Sequence, residues 1–573
     1  MLMSQIVLTS SVVRRMTTTR QFDLLNRLTQ ISNTGGTGST QASFSYTYNE
    51  ANQRVRVDLA DGSLWVYEYD FQGQVISGKR YWWDGTPVAG QQFEYGFDDI
   101  GNRKVARRGG DENGWNLRES LYGVNVLNQY TNQTVQGFAD VVGVALATKP
   151  VYVNGQMASR KGEYFRRELS VNNVGGPVWL GVTVTSPGEP TVTGNLFVPR
   201  TPEVFTHDLD GNLTSDGRWT YTWDGENRLL RVQSRSDTPQ GSWRRVEWQY
   251  DALGRRIRQT TRSWLVQSNL WVVTEDVRMV SDPLLFGRHV IELNASNNAL
   301  VRSYVWGLDL SETMDGAGGV GGLLWVSNFK SPIGTHFVGY DGNGNVVALV
   351  SATSGSETAR YEYGPFGEAL RVTGSAANQN PFRFSTKRTC NTTDLVLYEY
   401  RAYNPVLGRW LSRDPIDERA FRVVNWGLIP MSRQVDKESG LFIALYSFVG
   451  NMPFAIDAYG LRKVNTGVKK CAKRTYAGHK WIEYPGGSCG YYPTDSIWWS
   501  PGKVENLDPH SSDSDKECWT IEADECALNV KKFVACIQNS CRPRTEGHYQ
   551  VLIHNCWFWA NDTLNMCIAA ARK

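Results

Sequence analysis

The sequence is almost free of cysteine before residue 471. Of nine cysteines in 573 residues, only Cys390 lies earlier. Disulfides are therefore excluded as the organiser of that long first part. No run of about 18 apolar residues occurs, which excludes a membrane-spanning helix. Net charge is only +3 and the basic residues are scattered. Without a polybasic block, no nucleic-acid or membrane surface is expected as a partner. No C-x-x-C pair is present, and the spacing of Cys518, Cys526, Cys536 and Cys541 fits no usual zinc pattern. No metal and no cofactor are expected. The opening "MLMSQIVLTSSVVRRM" lacks the charge–apolar–small order of a signal peptide.

What the chain does have is glycine (55), tyrosine (26) and tryptophan (21). Aromatic and β-branched residues between glycines favour strands and turns. The length implies about two to four domains or a repeat array. Self-similarity decides for the array. "YTYNEANQRVRV" from Tyr46, "YEYDFQGQVISGKRYW" from Tyr67 and "FEYGFDDIGNRKVARR" from Phe93 share one plan. So do "FTHDLDGNLTSDGRW" from Phe205, "YTWDGENRLLRV" from Tyr221, "WQYDALGRRIRQ" from Trp248, "VGYDGNGNVVALV" from Val338 and "YEYGPFGEALRV" from Tyr361. An aromatic-x-aromatic strand end leads into Asp, Gly and Asn, then into an alternating strand. Gly and Asn supply the positive φ of a tight hairpin. Neighbouring hairpins bury each other's aromatic faces, giving a long sheet that winds on itself.

These motifs resemble the tyrosine-aspartate (YD) repeats of the rearrangement-hotspot (Rhs) family, on "YDALGRR" from Tyr250, "YDGNGNV" from Tyr340 and "DLDGNLTSDGRW" from Asp208. The resemblance implies a spiralling shell that encloses a C-terminal polypeptide. The fold class expected is mainly β: YD repeats over 1–118, an inserted β element over 119–200, and repeats again over 201–375. The first block starts without a capping segment, which reads as the tail of a longer product. The inserted element contains "PVWLGVTVTSPGEPTVTGNLFVP". Its aromatics are sheet packing or, alternatively, a contact to glycans at the cell surface.

"YEYRAYNPVLGRWLSRDPID" (398–417) and "LYSFVGNMPFAIDAYGL" (445–461) resemble the Rhs repeat-associated core, assigned here to 376–461. In that family two core aspartates act as an aspartyl-protease-like pair and cut the chain after the core. By motif position the pair is Asp414 and Asp457, with Arg409 or Arg413 orienting a carboxylate and the cut after Leu461. Two close carboxylates cannot both ionise cheaply, so one holds a proton while the other activates water. The bland reading of the same Asp-Pro is turn chemistry. Two departures from the family are Ala458 in place of proline and an insertion near 418–437.

From 462 to 573 the remaining eight cysteines define a small cysteine-rich α+β domain, a composition typical of an oxidising compartment. His479, Trp481 and Glu483 alternate as on a strand. Pro485-Gly486-Gly487 turns it, and "SCGYYP" starts a return strand. "EADECALNVKKFVACIQ" has helical spacing. "HYQVLIHNC" reads as a strand, so Cys556 falls at a strand-to-helix junction, where a thiolate is stabilised. Gly478-His479 early and Asn555-Cys556 with Phe558 late resemble circularly permuted papain-like domains. That implies Cys556 as nucleophile and His479 as base, with His510, His548 and His554 as rival bases. Glu483, Tyr491 and Asp495 are weak candidates for orienting the imidazole. The rival reading of Cys556 is half of a disulfide.

Two functions are carried forward. One is an Rhs-type polymorphic secreted protein whose shell carries a cysteine hydrolase or acyltransferase, with an immunity protein and a target-cell substrate as partners. The other is a non-enzymatic surface or adhesion protein with a disulfide-stapled module. Both place the protein outside the cell or on its surface.

Overall fold

The computed structural model describes residues 3–36, 38–285, 287–330 and 334–414, and five backbone strands between Lys463 and Asp524. The chain divides into two compact units, the first containing all described residues up to Asp414 and the second containing those five strands. Among the described residues there is no α-helix, only 3-10 turns at Gln240–Ser242, Ala377–Gln379 and Phe384–Thr386. None of them holds a helix long and apolar enough to cross a membrane.

The first unit is a meander of antiparallel hairpins in two large sheets. Twelve strands, from Gln5–Ser10 to Tyr130–Gln133 and then Glu203–Val204, form the first sheet. Fourteen strands in strict chain order, Thr206–His207 to Ala369–Thr373, form the second. The expected mainly β, spiralling repeat architecture is therefore what is observed. The winding shows in contacts some 300 residues apart. Asn33 donates to the Tyr340 carbonyl at 2.8 Å, the Gly342 N–H donates to the Tyr46 hydroxyl at 2.6 Å, and Arg360 donates to the Gln41 carbonyl at 2.9 Å.

The repeat motif can be explained atom by atom. Its aspartate closes the hairpin. Asp70 Oδ1 accepts the N–H groups of Gln72 (3.0 Å) and Gln74 (2.8 Å), and Asp251 Oδ1 accepts those of Leu253 (3.0 Å) and Arg255 (2.9 Å). Asp224 and Asp341 repeat the pattern. The fourth turn residue has positive φ, 82° at Gly73 and 79° at Gly254, where a side chain would be strained. The first aromatic of each pair enters one continuous core, as Tyr46, Tyr67, Tyr221, Trp248 and Tyr361 do. The second reaches back to the preceding hairpin. Tyr48, Tyr69, Tyr250 and Tyr363 donate to the carbonyls of Leu28, Arg54, Leu229 and Val346 at 2.7–2.9 Å. Each acceptor directly follows the previous turn, so every tyrosine staples one hairpin to the one before.

Tyr250→Phe should therefore cost about 1 kcal/mol, mainly the hydrogen bond to the Leu229 carbonyl, with a longer one from Arg256 at 3.3 Å lost beside it. Asp251→Ala should cost more, about 2 kcal/mol, because two backbone N–H groups, one exposed and one part-buried, and the Arg255 side chain lose their acceptor. Urea midpoints at unchanged slope measure both; equal effects would refute the division of labour.

Residues 134–202 form an insertion within the first sheet. Strand Leu117–Val124 pairs with Arg103–Gly109 and continues the first sheet. Gln133 then pairs directly with Glu203 across the insertion. Inside it lie a three-stranded sheet (Phe138–Val144, Tyr164–Ser170, Ser159–Lys161) and a four-stranded one ending in Val178–Thr185 and Val192–Val198. Beyond the second sheet, four short strands from Arg388–Thr389 to Arg409–Trp410 close the unit.

In the second unit the strands Lys463–Lys473, Lys480–Tyr484, Gly487–Pro493, Gly502–Glu505 and Lys516–Asp524 make one antiparallel sheet. The return strand expected after the Pro-Gly-Gly turn is Gly487–Pro493, with Ile482 opposite Cys489. Glu522, Ala523 and Asp524, expected to open a helix, belong to the last strand.

Candidate functional site

The residues around Asp414 are held by an aromatic cluster of Phe384, Val396, Tyr398, Tyr403 and Trp410, all buried. Tyr398 meets Trp410 edge-on at 4.9 Å, and the Tyr403 hydroxyl donates to the Phe366 carbonyl at 2.8 Å. Leu411 is tied to the start of the second sheet through the Leu213 N–H, 2.8 Å from its carbonyl. These contacts fix the backbone just before Asp414.

Asp414 is buried, and its carboxylate pairs with Arg401 at 2.9 Å. Arg401 is itself buried and lies over the Trp410 ring at 4.1 Å. The cation paired with Asp414 is Arg401, from "EYRAY". Arg409 is drawn elsewhere. It lies over Tyr130 at 4.1 Å and donates to the Asn128 carbonyl, joining this segment to the first sheet. Burial, Arg409 and Arg413 together push the His207 imidazole down to about 4, against the opposing pull of Asp208. Asp457, Leu461, His479, His510, His548, His554, Cys556 and Asp495 lie outside the described residues. Glu483 and Tyr491 sit on described strands, in the backbone only.

Among the described residues a different pair of carboxyls is brought together. Glu203 and Asp216 meet, both buried, where the first sheet hands over to the second. Glu203 accepts from the Gly217 N–H at 2.9 Å and from the Gln133 side chain. Asp216 accepts from the Trp219 N–H at 2.6 Å, the Arg218 N–H at 2.7 Å and the Tyr221 hydroxyl at 2.6 Å. Burial and the charge of Asp216 raise the Glu203 carboxyl, and burial raises Asp216. No motif announces this pair, since "TPEVF" and "SDGRW" read as ordinary repeat sequence.

A carboxyl raised above its unfolded value takes up a proton on folding. Its contribution is favourable below about pH 4.3, the ordinary glutamate value, and is lost as pH rises through the raised one. Glu203→Gln should therefore leave stability unchanged in mild acid and increase it at neutral pH. Melting temperature against pH measures this, and parallel curves for the two proteins would refute it.

Among the described residues no group of three or more His, Cys, Asp or Glu side chains is arranged to hold a metal ion.

No protein-family model matches the chain. It is 29% identical over 215 residues to the tRNA3(Ser)-specific nuclease WapA of Bacillus spizizenii, covering 37% of this chain and 8% of that protein. It is 22% identical over 401 residues to the toxin subunit YenC1 of Yersinia entomophaga, covering 65% of this chain and 39% of that protein. A crystal structure of TcdB2-TccC3-Cdc42 superposes on 78% of this chain and 22% of its own, at 18% identity and a TM-score of 0.32, too low to bear on fold or function. The chain thus spans less than a tenth of the length of the WapA protein and about two-fifths of YenC1. Its sequence is similar, over part of its length, to proteins named as a nuclease and as a toxin subunit.

Proposed function

We propose that this chain is the repeat shell of an Rhs-type secreted toxin, and that it carries a C-terminal effector module freed by a cut after Leu461. The observation that carries the reading is Asp414: a buried carboxylate, ion-paired to a buried arginine at 2.9 Å, at the last described position of the shell. In this scheme the Asp414 carboxylate takes a proton from water. The water oxygen attacks the Leu461 carbonyl carbon, and protonated Asp457 delivers its proton to the Arg462 nitrogen as that C–N bond breaks. The similarity to a toxin subunit and to a tRNA nuclease supports the shell-and-effector reading. The effector acts through Cys556, with His479 as base, on an amide or ester. Its partners are a target-cell substrate and an immunity protein, and it acts outside the producing cell.

The purified chain should separate under denaturing conditions into fragments meeting at Leu461 and Arg462, identified by N-terminal sequencing. A chain that stays whole defeats the cut. Iodoacetamide mapping then tests the effector: fast, His479-dependent alkylation of Cys556 supports the thiolate. A second reading, a stapled non-enzymatic module, is favoured by one register. Cys471 stands directly opposite Cys518 on neighbouring strands. Four bridges and no reactive thiol at Cys556 would decide for it. Because one relative is named as a tRNA nuclease, RNA cleavage belongs in the same assay, against the expectation of no nucleic-acid partner.

A further inference from the structure

The longest hairpin of the second sheet projects past its neighbours as an arm. Its strands, Arg256–Leu265 and Leu270–Ser281, have 10 and 12 residues, against 7 in Arg244–Tyr250 and 6 in His289–Asn294 beside them. Ladder pairing ends at Ser263 on the first side and at Val277 on the second. One more hydrogen bond follows on each side, from the Trp264 N–H to the Trp243 carbonyl and from the Ala295 N–H to the Asp276 carbonyl. No charged residue occurs from Ser263 to Thr274. On this arm Leu265, Val266, Leu270, Val272 and Val273 are 40–60% exposed. A contiguous set of exposed apolar side chains marks a contact surface.

The register sorts the arm by chemistry. Its outermost pair is Leu265 with Leu270, and the next is Trp264 with Trp271. Those two indoles meet at 5.4 Å and Trp243 meets Trp264 at 5.3 Å, so three tryptophans stand at one level. Two residues further along the same face, about 7 Å away, Arg262 stands between Arg245 and Val273. The Arg245 guanidinium lies over the Trp271 ring at 4.5 Å. From Leu229 to Ser281 the chain carries nine arginines against five carboxylates. Asp237, Asp251, Asp276 and Glu247 are taken up by Arg235, Arg255, Arg258 and Arg262, and Glu275 lies 3.8 Å from Arg302. Arg256 is turned to the Tyr398 carbonyl. Arg231, Arg244, Arg245 and Arg278 remain without an ion pair among the described residues, against only neutral oxygens or a ring. Burial and the charges of Arg231 and Arg262 lower the Arg245 guanidinium, as crowded cations do.

We propose that this arm docks on an anionic lipid surface. The leucines and valines of the tip dip below the headgroups, the tryptophans sit at the boundary, and Arg231 and Arg245 meet the lipid phosphates and carboxylates. Tryptophan at the boundary with apolar residues beyond it is the order a membrane interface selects. Basic side chains are drawn to an anionic leaflet. The insertion is shallow. On its outer edge the stretch 270–275 has no partner strand, so its backbone groups need the water of the headgroup layer. The uncharged Gln267, Ser268 and Asn269 at the apex are tolerated at that depth. A second copy of the chain is a poorer occupant, because it would bring the same uncompensated arginines face to face. These arginines are separated in sequence, so no polybasic block announces them, and the sheet register gathers them.

The test is flotation of the full chain with vesicles of phosphatidylcholine and phosphatidylserine, and with vesicles of phosphatidylcholine alone. The chain should float with the first and about tenfold less with the second, and high salt should release it. Leu265→Ser combined with Leu270→Ser changes only exposed side chains, so the melting temperature should hold while flotation falls about tenfold. Arg245→Gln should lower it about fivefold, the weight of one interfacial charge. Should Arg245→Gln disturb Trp271 and the fold, Arg231→Gln should give the same fall. No flotation with either vesicle overturns the proposal. So does flotation that the tip variant leaves unchanged, or that is equal on both vesicles. A wild type that is dimeric by light scattering, made monomeric by the tip variant and absent from vesicles, gives the surface to a second copy and overturns it too.

Discussion

Glu292→Gln should lower the stability of the repeat unit by about 3–5 kcal/mol, the cost of leaving buried charges without their partner. Glu292 has no solvent exposure. One carboxylate oxygen accepts from Arg302 at 2.5 Å, and the other accepts from Arg388 and from the Tyr304 hydroxyl at 2.8 Å. Glutamine keeps the shape but removes the charge between two arginines. Burial alone would raise the Glu292 carboxyl, but Arg388 and Arg302 outweigh it and hold it far below the usual carboxylate range. The sign follows from that depression. The contribution is fully present above the ordinary glutamate value of about 4.3 and is lost only as pH falls through the depressed one. The gap between wild type and variant should stay constant from neutral pH down to mild acid and narrow only in strong acid. Denaturant midpoints across that range measure it. A loss below about 1 kcal/mol, the size of an ordinary neutral hydrogen bond, would show that the network is a bystander.

Asp414→Asn should slow the cut after Leu461 by about 10²–10⁴-fold, the usual weight of a positioned acid or base. Asparagine also leaves the buried Arg401 without its counter-charge, so stability should fall and the cleavage rate is read on the folded fraction. Arg401→Gln separates positioning from folding. The carboxylate then keeps its chemistry but loses the cation that holds it at 2.9 Å. Cleavage should fall while Arg401→Lys, which restores the charge, recovers part of it. Arg409→Gln should act differently. Its contacts include the Asn128 carbonyl and the Tyr130 ring, which tie this segment to the first sheet, so its main effect should be a lower melting temperature. If Arg409→Gln and Arg401→Gln slow cleavage equally at equal stability, the assignment of Arg401 is wrong. If the wild type is never cut, the aspartyl reading fails before either variant is needed.

The repeats were legible in the sequence because their chemistry is local. The clasp of Asp251 onto Leu253 and Arg255 spans four residues, and the positive φ of Gly254 sits inside the same turn. Asparagine takes the place of aspartate in some clasps, as Asn49 does on Gln53. Asn125 Oδ1 accepts the N–H groups of Leu127 at 2.9 Å and Gln129 at 3.0 Å, as the aspartates do elsewhere.

The sequence by itself thus determined the strand-and-turn alphabet, the predominance of β structure and the packing of the hairpins' aromatic faces against one another. Hydrogen bonds within a turn and side-chain alternation along a strand depend only on near neighbours. Tertiary structure alone decided which distant charges meet: Glu292 with Arg302 and Arg388, Glu203 with Asp216, and Arg401 rather than Arg409 on Asp414. Three arginines lie between residues 401 and 413 and are chemically alike in one dimension. The winding of the sheets turns one towards Asp414 and carries another to Tyr130, because a buried guanidinium goes where the fold provides an acceptor and a ring to cover it.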